Sequence, residues 1–118
     1  MDPKIKGKIR SLQMKIMQQK MMTKVKEADV VVVNPTHFAV ALKYDPEKFP
    51  APLVVAKGVD FVAFKIREIA KNTGIPIIEN KPLARSLYKL VEVDSIIPQE
   101  LYVAVAEILQ YVYAQKGK

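Results

Sequence analysis

Asn34, Pro35, Thr36 and His37 form the tetrapeptide whose side chains and order suggest covalent chemistry. In most Asn-X pairs the next backbone nitrogen attacks the asparagine side chain, and deamidation follows. Here that nitrogen belongs to Pro35, which carries no N–H, so this route is closed. The reverse attack stays open, from the Asn34 side-chain nitrogen onto the carbonyl carbon of Asn34 itself. It closes a five-membered succinimide, expels Pro35 as a new N-terminus and cuts the backbone between residues 34 and 35. A plain turn also accounts for the pair. Asn-Pro is a common turn initiator, and a residue before proline is pushed toward extended backbone in any case. Two neighbours favour the chemical reading. The run Val30-Val31-Val32-Val33 offers a rigid strand directly before the pair, and a hydroxyl and an imidazole directly follow it.

The elements that must hold this tetrapeptide read as a small α/β domain. Residues 4–26 have helical spacing, with Ile5, Ile9, Leu12 and Ile16 on one stripe and Met14, Met17, Met21 and Val25 on a second. Such a Met-rich stripe packs against the body or a neighbouring chain, or offers an adaptable binding surface. The valine run is too β-branched for anything but a buried strand. Phe38, Val40, Leu42 and Tyr44 alternate with Ala39, Ala41 and Lys43, which predicts a second strand, and residues 45–50 a loop. Residues 53–57 read as the third strand, closed by Gly58. Asp60 is placed to cap the next helix, whose inward face is Val62, Ile66, Ile69 and Ala70, with Lys65, Arg67, Glu68 and Lys71 outside; Gly74 stops it. Residues 76–79 form a fourth strand. Pro82 opens a helix in its first turn, burying Leu83, Leu87 and Leu90. Pro98 opens the last, with Leu101, Val105, Ile108 and Val112 on one face. The fold class is thus α/β, a small four-stranded sheet flanked by helices with a long N-terminal linker helix. The boundaries are 1–28 for a basic linker helix and 29–118 for the domain.

Composition narrows the function. The 118 residues suit one domain, and half of them are apolar. There is no cysteine and only one histidine, so neither thiolate chemistry nor a usual zinc or iron site is expected; no cofactor is implied. No stretch approaches the roughly 18 apolar residues of a membrane span, and no cleavable signal is evident. Taken alone, the chain reads as a soluble domain of a reducing compartment. Its net charge of +7 is confined to residues 1–26, where eight basic side chains face one acid, Asp2; the remainder is neutral. A basic arm suits nucleic acid, an anionic membrane surface or a solvated helix. The alternative function is accordingly a nucleic-acid-binding α/β domain, although the arm has no aromatic residue and no reading motif. No Gly-rich phosphate loop or Ser/His/acid set is present, so turnover of an external small molecule gets no support.

With these residues in view, the chain resembles the cytoplasmic domain of the FlhB/YscU family of type III export switch proteins. Besides Asn34-Pro35-Thr36-His37 it carries Ala39-Val40-Ala41-Leu42-Lys43-Tyr44-Asp45, Val54-Val55-Ala56-Lys57-Gly58 and Lys65-Ile66-Arg67-Glu68-Ile69. Pro82-Leu83-Ala84-Arg85 with Leu87-Tyr88 follows, and then Ile97-Pro98, Leu101-Tyr102 and Ala104-Val105-Ala106-Glu107. The likeness runs in order along essentially the whole chain. The segments at 39–45 and 54–58 resemble the flagellar branch more than the injectisome branch.

That resemblance implies a parent in the bacterial inner membrane whose transmembrane helices precede Met1. The basic arm would link membrane to domain, each cation contributing about 1 kcal/mol near anionic headgroups. The domain would lie at the cytoplasmic face, among export-gate components, a hook-length control protein and early flagellar subunits, with no nucleic acid partner. Cleavage at Asn34-Pro35 would be needed to switch export from rod and hook to filament subunits. In this scheme Asn34 supplies both nucleophile and scissile carbonyl, and Pro35 leaves as an amine. Thr36 shapes the turn, and His37 or water takes the proton. Fixed geometry can supply on the order of 7–11 kcal/mol of the barrier, and backbone N–H groups of the turn can hold the oxyanion. The resemblance also assigns an apolar docking patch for early subunits to Ala51, Pro52, Ala106 and Leu109, although Ala106 and Leu109 equally suit ordinary core. Arg85 is a partner contact or a structural salt bridge.

Overall fold

The computed structural model describes residues 3–35 and 37–116; Met1, Asp2, Thr36, Gly117 and Lys118 lie outside the described residues. The element order is α1 (Pro3–Val25), β1 (Val30–Asn34), β2 (Phe38–Lys43), β3 (Leu53–Val59), α2 (Asp60–Asn72), β4 (Ile77–Glu79), α3 (Lys81–Leu90), a short 3-10 turn (Gln99–Leu101) and α4 (Tyr102–Lys116).

The four strands lie in the order β3-β2-β1-β4. β1 pairs antiparallel with β2 and parallel with β4, and β2 pairs antiparallel with β3. β1 therefore has a strand on each side and helices on both faces, which is why it can be four valines without an alternating polar residue. Val30 and Val32 face a core built with Leu83, Leu87, Val105, Ile108, Leu109 and Val112 of α3 and α4. Val31 and Val33 face a second core with Val25, Ala63, Ile66 and Ala70 of α1 and α2. β2 divides in the same way: Val40 and Leu42 face the first core, Ala39 and Ala41 the second. Its small residues let α2 approach the sheet closely.

Several sequence-based expectations need correction. β3 runs two residues beyond Lys57, and Gly58 pairs with Ala39 inside it. A Cβ at Gly58 would collide with the Val62 side chain, so this glycine serves close strand–helix approach. Asp60 does not cap α2. Val59 holds the N-cap position, without a side-chain cap bond, and Asp60 is the first helical residue, at φ 48°. The longer strand leaves the Asp60 N–H opposite the His37 carbonyl, to which it donates at 3.1 Å. On α2, Ala63 is buried in line with Ile66 and Ala70, whereas Val62 and Ile69 are only partly buried. Gly74 stops the helix as expected, at φ 75°, with Ile75 N–H on the Ala70 carbonyl and Gly74 N–H on that of Lys71.

Leu90 is exposed, not buried. The chain turns extended at Val91, whose N–H still bonds the Leu87 carbonyl, and Val91 takes the core position instead. The proposed apolar stripes of α1 are likewise uncovered. Ile5, Ile9, Leu12, Met14, Ile16 and Met17 are exposed, and only the end of the helix, through Met21, Met22 and Val25, reaches the second core. That end is tied down by the Lys24–Asp94 ion pair at 2.7 Å.

Candidate functional site

Asn34 is the last residue of β1 and pairs across the sheet with Phe38, the first of β2, so the two strands form a hairpin whose paired ends have three residues between them in the chain. The His37 N–H donates to the Asn34 carbonyl oxygen at 2.9 Å and closes that hairpin. On the upstream side, the Asn80 N–H donates to the Val33 carbonyl at 3.0 Å, while the Asn80 side chain accepts from Leu83 N–H and caps α3. One asparagine thus fastens both the start of α3 and the end of β1. Downstream, the His37 carbonyl accepts from Asp60. The carbonyls of Val33, Asn34, Pro35 and His37 are each held by a donor from a different place in the chain.

The Pro35 contact is the one that sequence reasoning missed. Arg67, assigned to the outer face of α2, is half-buried and its Nη1 donates to the Pro35 carbonyl at 2.6 Å. Its Nε is buried with no partner among the described residues, an arrangement that costs about 1–3 kcal/mol. No periodicity could have found this. The helical wheel turns Arg67 away from the apolar stripe, but its length lets it reach the hairpin.

Asn34 and Pro35 are half-buried and His37 is exposed. The His37 ring makes no hydrogen bond among the described residues; its ring neighbour is Phe38, centroid to centroid 6.3 Å. Phe38 in turn stacks on Tyr88 at 5.1 Å, and Lys57 Nζ both lies 4.9 Å over the Tyr88 ring and donates to its carbonyl at 2.9 Å. The hairpin base is therefore anchored to α3 as well as to α2. Thr36, assigned a turn-shaping role, lies outside the described residues.

The four residues assigned to a docking patch come together. Ala51, Pro52, Ala106 and Leu109 line one groove of about 400 Å³ with Tyr44, Tyr102 and Tyr113. They are not equivalent. Ala51 and Leu109 are buried core, Pro52 is half-buried, and Ala106 is exposed on the groove wall. The Tyr113 hydroxyl is pushed above its ordinary pKa, first by burial and then by the Asp29 carboxylate and Tyr44. Arg85 is exposed on α3 and forms no ion pair among the described residues, so the salt-bridge alternative is not realised. Among the described residues no group of three or more His, Cys, Asp or Glu side chains could hold a metal ion, and no helix is long and apolar enough to cross a membrane.

A model of the family described as FlhB HrpN YscU SpaS matches residues 1–112. The flagellar biosynthetic protein FlhB of Bacillus subtilis (strain 168) is 53% identical over 117 residues, which is 99% of this chain and 32% of that protein. Its counterpart in Salmonella typhimurium is 50% identical over 98% of this chain and 30% of its own length. The chain therefore spans about a third of the length of these curated relatives. Among solved structures, the cytoplasmic domain of FlhB from Shewanella putrefaciens superposes with a TM-score of 0.80 at 51% identity, covering 85% of this chain and 80% of that one. A mutated EscU C-terminal domain gives 0.75 at 36% identity, covering 78% of this chain and 92% of its own.

Proposed function

The chain belongs to the FlhB HrpN YscU SpaS family, and from that premise we propose that it is the cytoplasmic part of a flagellar export-apparatus protein that cuts its own backbone between Asn34 and Pro35. The observation that carries this reading is the 2.9 Å hydrogen bond from His37 N–H to the Asn34 carbonyl oxygen. The oxygen that must take up negative charge during attack already has a backbone donor beside it, the kind of group that stabilises an oxyanion.

The reaction balances within the chain and water. Asn34 Nδ2 bonds to the Asn34 carbonyl carbon and gives up one proton, to water or to His37. The tetrahedral centre collapses, the bond to the Pro35 nitrogen breaks, and that nitrogen gains a proton. Residue 34 is left as a succinimide, which one water molecule opens. The exposure of His37 makes water sufficient as the acceptor. Because the amide is a weak nucleophile, the held geometry of the hairpin must carry most of the acceleration.

The pieces stay joined after the cut. β1 belongs to fragment 1–34, yet it lies between β2 and β4 with all four valines buried. Cleavage thus frees residues 35–37 without dismantling the core, and changes the surface presented there. We take that change as the switch from rod and hook to filament subunits, with the groove at Ala51, Pro52, Ala106 and Leu109 as the docking place for early subunits. In this reading the membrane-spanning segments belong to the part of such a parent that this chain does not cover, and this part works at the cytoplasmic face of the inner membrane. Export-gate components and a hook-length control protein are the implied partners. The nucleic-acid reading of the basic helix is not favoured by the family.

Intact-mass analysis tests the proposal. Wild-type protein incubated at neutral pH should yield fragments 1–34 and 35–118, and Asn34→Ala should remain one chain. A wild type that stays whole would overturn it.

A further inference from the structure

Arg67 directs its charge at a place that ordinary surface arginines do not use. Among the described residues no carboxylate pairs with it. Its Nη1 instead donates to the Pro35 carbonyl at 2.6 Å, while its Nε sits buried and unpartnered. A side chain that only needed solvation would turn outward from α2 and satisfy both nitrogens in water.

We propose that Arg67 is a positioning residue for cleavage of the 34–35 bond, acting through the Pro35 carbonyl; this rests on the self-cleavage reading above. The coupling follows from backbone geometry. The proline ring locks φ of Pro35, and each flanking peptide is planar. Only one torsion, ψ of Pro35, separates the carbonyl that Arg67 grips from the ring nitrogen that must leave. Holding that oxygen therefore orients the leaving nitrogen. The His37 N–H holds the Asn34 oxygen on the other side of the same bond. One contact comes from the link between β1 and β2 and the other from α2, so the scissile peptide is held on both sides. A planar guanidinium suits this role better than a compact ammonium, because its N–H groups lie in a rigid fork.

The test follows newly made protein, pulse-labelled during cell-free synthesis, and reads the cut fraction against time together with the melting temperature. Arg67→Met, which keeps the aliphatic stem and removes the donors, is expected to slow cleavage about tenfold or more. Arg67→Lys should fall between Met and the wild type, a graded rescue that a purely structural arginine would not give. A wild-type rate in the Met variant overturns the inference while leaving self-cleavage intact, as does a Lys variant no faster than Met. Should Arg67→Met be unfolded at the assay temperature, Arg67→Lys decides. A slower cut at unchanged melting temperature supports the role, and a wild-type rate overturns it. A wild type that never cuts overturns both readings, so the two failures are distinguishable.

Discussion

The backbone N–H of His37 reaches back 2.9 Å to the carbonyl oxygen of Asn34, so the residue that ends the loop grips the oxygen at its start. The histidine thus contributes to the proposed chemistry by its main chain, whatever its ring does. His37→Ala keeps that N–H and should cut within about tenfold of the wild-type rate. Replacing the residue 37 amide with an ester, which deletes that N–H donor and keeps the side chain, should slow the cut by about 10²–10³-fold, the usual loss for one oxyanion donor. Mass spectra taken over time separate the two. The opposite ranking would move the role to the imidazole.

In the proposed cleavage Pro35 has a chemical duty besides its shape. Pro35→Ala restores an N–H at the position that attacks asparagine side chains in ordinary sequences. Cleavage should slow, and a deamidated, uncut chain should accumulate beside the products, visible by mass and isoelectric focusing. Unchanged cleavage with no deamidated species would contradict this account of the proline.

In the groove, two residues predict opposite phenotypes. Ala106 is exposed on the wall and Leu109 is 5% exposed beneath it. Ala106→Glu should leave the melting temperature unchanged while reducing binding of an early export subunit at least tenfold in a titration. Leu109→Ala should instead cost about 2–5 kcal/mol of stability, read by urea denaturation. Equal binding by Ala106→Glu would remove the groove from the docking scheme.

Tyr113 gives the groove an alkaline signature. Burial, Asp29 and Tyr44 hold its hydroxyl above the ordinary tyrosine value, so the folded state favours the protonated form. The stability from this group is fully present below the unfolded value of about 10. It is lost as pH rises through the higher folded value. Urea denaturation at pH 9 and pH 11 should show a smaller loss for Tyr113→Phe than for the wild type. Identical losses would mean that the hydroxyl is not differentially held.

Some of this was legible before any fold was known. A four-valine run admits little but a strand buried on both faces. Proline after asparagine closes one reaction and leaves another, a fact of covalent chemistry that needs no tertiary structure. Gly74 at the end of an apolar helical stripe marks a stop wherever the helix packs. Leu90 and Asp60 show where pattern reading fails. Each has the right type and spacing, but Val91 turns extended to fill the core beside Leu87, and β3 continues through Val59. Neither choice is local to the misplaced residue.

The sequence by itself determined the asparagine–proline pair, the strand that precedes it and the alternation that carries the sheet, because these depend on bonds and near neighbours. Only the tertiary structure decided which donors close on the hairpin. Asn80, Asp60 and Arg67 come from 46, 26 and 33 residues beyond Asn34 in the chain, and meet it because β4 and β3 flank β1 and β2 in one sheet. Contacts of that span depend on how whole elements pack. A periodicity that turns an arginine outward cannot say what its guanidinium will reach.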